Sequence, residues 1–322
     1  ISPIVVAYSR SSWNPNLMPF FSLLTLYTVY WAVKKKSFFL YFICGVFLGI
    51  AMQLHYLTLF LGVIIALYII LQQKIVSSML RLVFIFIGSL VGLAPFIGFE
   101  IRHGFPNTQS IVRFVASSGD TGGNDNFFSV LGDVFFRIFG RLVVAFPPPE
   151  QVSLQESLIT LDLFFGKITV ATGAWYLFVW LLACLSTGLF FYQCYSSFRN
   201  KNERFNKLLL FFLWLVVGIW LFGFYKKSIY DYYFGFLFPL PFLLIANALY
   251  FLWEKKQWYR GVAVCIFVIL LILNLHGIPF RYAPNRQLDQ VKQIANFVLE
   301  KTEGKYHVAD TKHGTLICNY SN

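Results

Sequence analysis

The chain has 322 residues, 58% hydrophobic, 20% aromatic and only 12% charged, with a mean hydropathy of +0.65. A soluble domain carries about 25% charged residues, so this composition excludes water as the main solvent. The formal charge of +12 would suggest nucleic acid in a soluble protein, but here Lys and Arg fall in short clusters between apolar runs, where they act as topology signals and call for no nucleic-acid partner.

The opening residues Ile1 to Ala7 have the character of the outer end of a span. With neither an initiator Met nor a signal peptide, they are expected to continue a longer chain. Tyr8-Ser9-Arg10-Ser11-Ser12-Trp13-Asn14-Pro15-Asn16 follows, with Pro15 suited to the first turn of a helix. Two readings stay open for it: an interfacial Trp before an ordinary helix start, or a phosphate grip by the Arg10 guanidinium, which suits two parallel bonds.

Apolar runs of about 18 residues cross the ~30 Å hydrocarbon core as helices. Eight are expected, at 17 to 33, 37 to 54, 57 to 72, 82 to 99, 168 to 192, 208 to 224, 233 to 253 and 259 to 275. The second and third are split at Gln53-Leu54-His55, since one helix would far overshoot the bilayer. Gly45-x-x-x-Gly49 and Gly88-x-x-x-Gly92 allow close helix packing, and Pro95 is expected to kink the fourth span. His55 at the turn reads as a hydrogen-bonded structural group or as part of a site. Glu100-Ile101-Arg102-His103, just beyond the fourth span, reads equally as a solvated helix end or as an acid, cation and base set.

Residues 100 to 167 form a long outer loop. Its polar, Gly-rich part, 105 to 126, reads as mobile. Residues 127 to 146 carry Ser129, Asp133, Arg137 and Arg141 spaced by four on an otherwise apolar helix, expected to lie in the membrane plane with this stripe toward water and to end at Pro147-Pro148-Pro149. Lys226-Lys227-Ser228-Ile229-Tyr230-Asp231-Tyr232-Tyr233 precedes the seventh span, which holds Pro239 and Pro241. Past 276 the composition turns soluble. An amphipathic helix at 286 to 303, capped by Gly304, and a strand at Tyr306 to Ala309 begin an α/β domain, 277 to 322, that is expected to be cut off at Asn322.

The expected fold is therefore an all-α polytopic membrane protein with about eight transmembrane helices over 1 to 276, a juxtamembrane helix in the long outer loop, and the start of an extracytoplasmic α/β domain. One set of connections holds twelve Lys and Arg, at 34 to 36, 74, 81, 199, 201, 204, 207, 255, 256 and 260. The short loops of the other set hold only Lys226 and Lys227. The positive-inside rule makes the first set cytoplasmic. Lys226 and Lys227 oppose that trend, which anion binding beside a membrane would explain. Hardly any ionisable group lies mid-span, which argues against an ion relay.

No P-loop, G-x-G-x-x-G, H-E-x-x-H or G-x-S-x-G motif is present, no ligand cluster suits a metal, and no cofactor is evident. The five cysteines lack any C-x-x-C pairing and support neither disulfides nor a zinc site. A basic outer rim on a lipid-embedded bundle suits a substrate with a phosphate head and a hydrocarbon tail.

The stretches SPIVVAYSRSSWNPNLMPFFSLL, GVFLGIAMQLHYLTLFLG and YDYYFGFLFPLPFLLIA resemble the GT-C glycosyltransferases, in the branch of protein O-mannosyltransferases, aminoarabinose transferases and rhizobial core glycosyltransferases. The resemblance covers nearly the whole chain through loose hydrophobic motifs. It implies a plasma-membrane enzyme with its active face extracytoplasmic. Such an enzyme moves a hexosyl or pentosyl unit, with inversion, from a polyprenyl-phosphate donor to a cell-envelope glycan, lipid or protein. Its partners are membrane lipid, the lipid-linked donor and the acceptor. The general base implied is a carboxylate in the first outer loop, which would precede Ile1. Carried over by the resemblance are Arg10 and Lys227 as phosphate contacts and Asn14, Tyr230 and Tyr233 around the donor head. Glu100, Arg102 and His55 join them by position only. A lipid-linked glycan ligase, polymerase or flippase, or a non-catalytic membrane scaffold, is the alternative.

Overall fold

The computed structural model describes residues 2–10, 13–116, 126–147, 158–163, 166–278, 287–301, 307–309 and 317–319. Ser11, Ser12, the Gly-rich stretch 117–125, Pro148, Pro149, Gly304 and Tyr306, all invoked above, lie outside them. The chain forms two compact units, Ile1–Pro279 and Phe280–Asn322.

In the first unit α1 (Pro3–Ser9) is followed by a 3-10 turn at Asn14–Leu17, with Pro15 in its opening positions. Then α2 (Met18–Lys35) stops at Lys36, which takes the left-handed conformation (φ 52°). Ser37 caps α3 (Phe38–Leu54), its hydroxyl accepting from the Leu40 N–H. His55 breaks the long apolar run as expected: its backbone is extended, and a 3-10 turn at Tyr56–Thr58 leads into α4 (Leu59–Gln72).

The fourth expected span needs correction. The helix α5 covers Ile75–Gly92, not 82 to 99, and α6 (Ala94–His103) is separate. Pro95 offers no N–H to the Val91 carbonyl and the ladder breaks at Leu93; beside the break, the Gly92 carbonyl accepts from Gln53 Nε2. The stretch read as mobile from 105 begins with a helix, α7 (Pro106–Ala116).

Next comes α8 (Phe127–Gly140), then a hairpin of β1 (Leu158–Leu163) and β2 (Gly166–Ala171), antiparallel with Ile159 opposite Val170. The fifth span therefore starts later than expected, as α9 (Thr172–Arg199). It is followed by α10 (Arg204–Trp220), a 3-10 turn at Leu221–Phe224, and a 3-10 segment at Asp231–Leu237. That segment meets α11 (Pro239–Trp253) at a 58° bend, and α12 (Gln257–His276) comes last. The second unit holds α13 (Gln287–Lys301) and the antiparallel pair β3 (His307–Ala309) and β4 (Ile317–Asn319).

Among the described residues, five helices are long and apolar enough to cross a membrane, and a sixth if the bent pair is one span. Phe38–Leu54 and Tyr56–Gln72 are shorter apolar helices. Each of the eight expected segments contains a helix, but only five or six among the described residues qualify as full spans, and residues 168–171 of the fifth belong to β2; the protein is an all-α polytopic membrane protein.

The tightest seam joins α3 to α5, which run parallel. A Cβ on Gly45 would strike the Ile85 carbonyl, one on Gly49 the Ser89 carbonyl, one on Gly88 the Phe42 carbonyl and one on Gly92 the Val46 carbonyl. Backbone lies directly on backbone, so dispersion contacts between the helices replace the hydrophobic drive that lipid removes. Gly88→Val therefore forces the two helices apart and is expected to destabilise the protein by about 3 kcal/mol, at the upper end of overpacking costs. Denaturation in mixed detergent micelles measures this.

Candidate functional site

The first end of the bundle, where α1 stops, α3 turns into α4 and α10 gives way to α11, carries a belt of aromatic rings. Trp13 meets Tyr232 edge to face at 4.5 Å between ring centroids, and Tyr8 stacks on Phe238 at 6.2 Å. His55 stacks on Tyr56 at 4.7 Å and leans on Tyr233 at 5.1 Å. Tyr230 lies parallel to Tyr232 at 5.7 Å, and Tyr232 meets Tyr233 edge to face at 4.7 Å. The hydroxyls of Tyr56, Tyr225 and Tyr233 hydrogen-bond among themselves, and Tyr232 joins through Tyr233. Burial, together with the bonds to Tyr233 and Tyr56, pushes the Tyr225 phenol well above its usual range.

Why the chain folds this way here is local. Tyr230, in extended backbone, leads into the 3-10 segment that carries Tyr232 and Tyr233, so three tyrosines are grouped on one short stretch. Gly235 lets this stretch close on α2, since any Cβ there would strike the Met18 side chain. From behind, the buried Trp214 of α10 donates its indole N–H to the Phe236 carbonyl at 3.0 Å.

Beneath the belt lies an ion triad. Asp231 accepts from Arg137 Nε at 3.0 Å and Nη2 at 2.6 Å through one carboxylate oxygen, and from Arg141 Nε at 2.9 Å through the other. All three side chains are 13–16% exposed, and Tyr8 lies within electrostatic reach of them. Arg137 also donates to the Ile229 carbonyl at 2.7 Å, and Arg141 to the Phe146 carbonyl at 3.1 Å. This corrects the reading of α8. Only half of its polar stripe faces water: Ser129 and Asp133 are exposed, but Arg137 and Arg141 turn inward to Asp231, and Val134, Ile138 and Phe139 are buried. A stripe of four-residue spacing looks the same from the sequence whether solvent or a distant carboxylate receives it.

Of the residues singled out from the sequence, His55, Tyr230 and Tyr233 come together in the belt. Lys227 joins them through Tyr56, whose hydroxyl feels its charge. Arg10 and Asn14 are exposed on either side of Trp13. His55 Nδ1 accepts from the Leu57 N–H at 3.3 Å, and burial lowers its pKa to about 4, so it is a neutral hydrogen-bonding group at pH 7. Glu100 has a different task. Only 2% exposed, it accepts from Thr108 N–H at 2.8 Å, Asn107 Nδ2 at 2.8 Å and Asn107 N–H at 3.2 Å, so it caps α7. Burial alone would raise its pKa, but the bonds from Thr108 and Asn107 outweigh that and hold it below the ordinary carboxylate value. Arg102 is exposed in the last turn of α6.

Sequence reasoning missed Tyr56, Tyr225, Tyr232 and the Arg137–Asp231–Arg141 triad as one assembly. The available signal was the inward demand of two arginines on an apolar helix, which calls for a carboxylate elsewhere. A small cavity of about 20 Å³, lined by Tyr8, Asn16, Tyr232 and Phe238, holds room for one water molecule. Larger molecules must use the open aromatic face, where Trp13, Tyr56 and Tyr230 are 44%, 45% and 55% exposed. Among the described residues no three His, Cys, Asp or Glu side chains converge as a metal cage.

Two outcomes follow from this geometry. Asp231→Ala strands two shielded guanidiniums and is expected to cost about 3 kcal/mol, whereas Asp133→Ala, at the 52% exposed end of the network, costs under about 1 kcal/mol. Thermal unfolding in detergent compares them. Because the folded His55 resists protonation, the unfolded chain binds more protons between pH 6.5 and about 4, so stability falls as pH drops through that window. In His55→Gln, which keeps an acceptor for Leu57, thermal melts against pH should lose that part of the slope.

The model of the dolichyl-phosphate-mannose-protein mannosyltransferase family matches residues 1–99. No curated protein and no solved structure gives a significant match. The matched stretch is a little under a third of the chain and contributes Tyr8, Arg10, Trp13, Asn14, His55 and Tyr56 to the aromatic end. In a chain of this fold, that similarity points to glycosyl transfer in a membrane.

Proposed function

We infer that this protein is a membrane glycosyltransferase that moves a hexosyl or pentosyl unit from a polyprenyl-phosphate donor to an extracytoplasmic acceptor, with inversion at the anomeric carbon. The observation that carries this reading is the meeting, at one end of the bundle, of the family-matched segment with the tyrosine belt and its flanking cations Arg10 and Lys227. The positive-inside pattern supports an extracytoplasmic location for that end, because the lysine-rich connections lie at the other.

In this reading the prenyl chain lies along the apolar flanks of the bundle, and the phosphate sits at headgroup level. Arg10 and Lys227 bind its oxygens, and charge there matters most as the sugar leaves, because the C1–O bond breaks with its electron pair passing to the phosphate. The acceptor oxygen forms the new bond to C1 from the opposite face, and its proton passes to a base. Exposed Trp13 and Tyr230 offer apolar ring faces to the sugar, while the tyrosine hydroxyls and Asn14 hydrogen-bond its polar groups. Asp231 is ill placed to be that base: both its oxygens already accept from guanidinium groups. Its work is positional, holding the tyrosine stretch against α8.

Replacing Arg10 or Lys227 by Ala is expected to lower turnover of a polyprenyl-phosphate sugar at least about tenfold, the value of one charge-assisted hydrogen bond, while the folded yield in membranes changes little. Transfer of radiolabelled sugar in isolated membranes reads this. Turnover unchanged in both variants removes the phosphate grip, and absence of transfer with every polyprenyl-phosphate sugar tried removes the enzyme reading.

A further inference from the structure

A large cavity with a charged lining lies at the opposite end of the bundle from the tyrosine belt. It measures about 760 Å³ and opens between the last turn of α2, the end of α4, the start of α5 and the start of α10. Six of its described lining residues are cations, Lys34, Lys36, Lys74, Arg81, Arg204 and Lys207, against one carboxylate, Glu203. A topology signal needs positive charge in the connections, but it does not need three connections to turn that charge onto one shared cavity. Like charges around a common space repel, and an anion within it offsets that repulsion.

The inner wall carries a second, independent sign. Tyr68, fully buried at 0% exposure, and Gln73 are among the lining residues, and the buried Tyr68 hydroxyl and Gln73 Oε1 have no hydrogen-bond partner. Arg81 lies over the Tyr41 ring at 5.7 Å and gives Nη1 to Ser77 Oγ at 2.6 Å, but its Nε is also buried and unsatisfied. Two of these three groups, the Tyr68 hydroxyl and Arg81 Nε, are unmet donors beside a positively charged recess, which fits an acceptor-rich oxyanion, whereas Gln73 Oε1 is an acceptor and plays no part in it. The recess is far larger than a bare phosphate. It also opens at the ends of the apolar helices, and Met79, Leu80 and Val83, near Arg81 in sequence, are exposed on α5, as a lipid-facing flank requires.

We propose that this cavity binds the phosphate of an anionic membrane phospholipid, with Lys74, Arg204 and Lys207 gathering the headgroup and the Tyr68 hydroxyl donating to a phosphate oxygen. The site is separate from the tyrosine belt and independent of the reaction assigned there. It makes the lipid of that leaflet a structural ligand that ties α10 to the α2, α4 and α5 group.

The test uses the whole chain purified in detergent, with lipid retention read by native mass spectrometry and thermal stability read in parallel. Phosphatidylglycerol is the probe, phosphatidylcholine the zwitterionic control, and inorganic phosphate at millimolar concentration the free-anion control. Phosphatidylglycerol is expected to be retained and to raise the melting temperature, with neither control reproducing this. The combined variant K74Q/R204Q/K207Q should bind it on the order of a hundredfold more weakly, about fivefold for each cation lost near a membrane surface. Tyr68→Phe removes only a hydroxyl without a protein partner, so it should keep the unliganded melting temperature and still weaken retention. Equal retention of phosphatidylcholine, or an equal effect of inorganic phosphate, overturns the proposal in favour of a site indifferent to headgroup charge or a free-anion site. Undiminished phosphatidylglycerol binding in both variants overturns it by placing the lipid elsewhere.

Discussion

A single carboxylate, Asp231, joins parts of this chain that are about ninety residues apart in sequence, and the aromatic end of the protein is organised around it. Its two oxygens receive Arg137 and Arg141 from successive turns of α8, and those arginines reach on to the carbonyls of Ile229 and Phe146. Removing charges from water is costly, and only near-complete hydrogen bonding offsets the loss, which here is supplied by geometry on both sides of the carboxylate. The result is a fixed register between α8 and the stretch that carries Tyr230, Tyr232 and Tyr233. The segment after α8 is fastened again by Asn274, which donates to the Val143 carbonyl at 2.7 Å, and by Trp175, which donates to the Val144 carbonyl at 3.3 Å.

The charge distribution divides the two ends of the bundle by kind. At the aromatic end, charges are paired or spread among phenol hydroxyls, and a neutral His55 sits within the rings. At the opposite end, cations gather around one recess with a single acid among the described lining residues. A bilayer favours such an arrangement, because long basic side chains can keep their heads at the surface while their stems cover apolar helix ends.

The eight helical segments were legible because a bilayer imposes a length of apolar sequence that little else requires. Boundaries were legible only where a residue of fixed behaviour marked them. His55 with its neighbours did so, but Pro95 was read as a kink when it is a break, and the fourth helix moved by seven residues. The hairpin of β1 and β2 was hidden because Ile168, Thr169 and Val170 merge with the apolar run of α9, although their β-branched character was a usable sign. His55, singled out at a turn between apolar helices, and Tyr230 and Tyr233, carried over by the family resemblance, lie together in the structure. The triad was not found, since a local stripe of charge does not reveal a partner ninety residues away. Glu100 drew notice as an isolated acid, and the cap it forms depends on the fold of residues seven and eight positions later.

The glycine seam between α3 and α5 also decides where α4 can go. Two parallel helices in backbone contact must be joined by a helix returning in the opposite direction, and that helix cannot lie between them. It is displaced sideways onto α10, with Leu61, Ile64, Ile65 and Ile69 buried. The segment matched by the family model therefore does not close on itself. Among the described residues, one of its helices packs chiefly against sequence more than a hundred residues further on, so the matched segment shares its core with a later part of the chain.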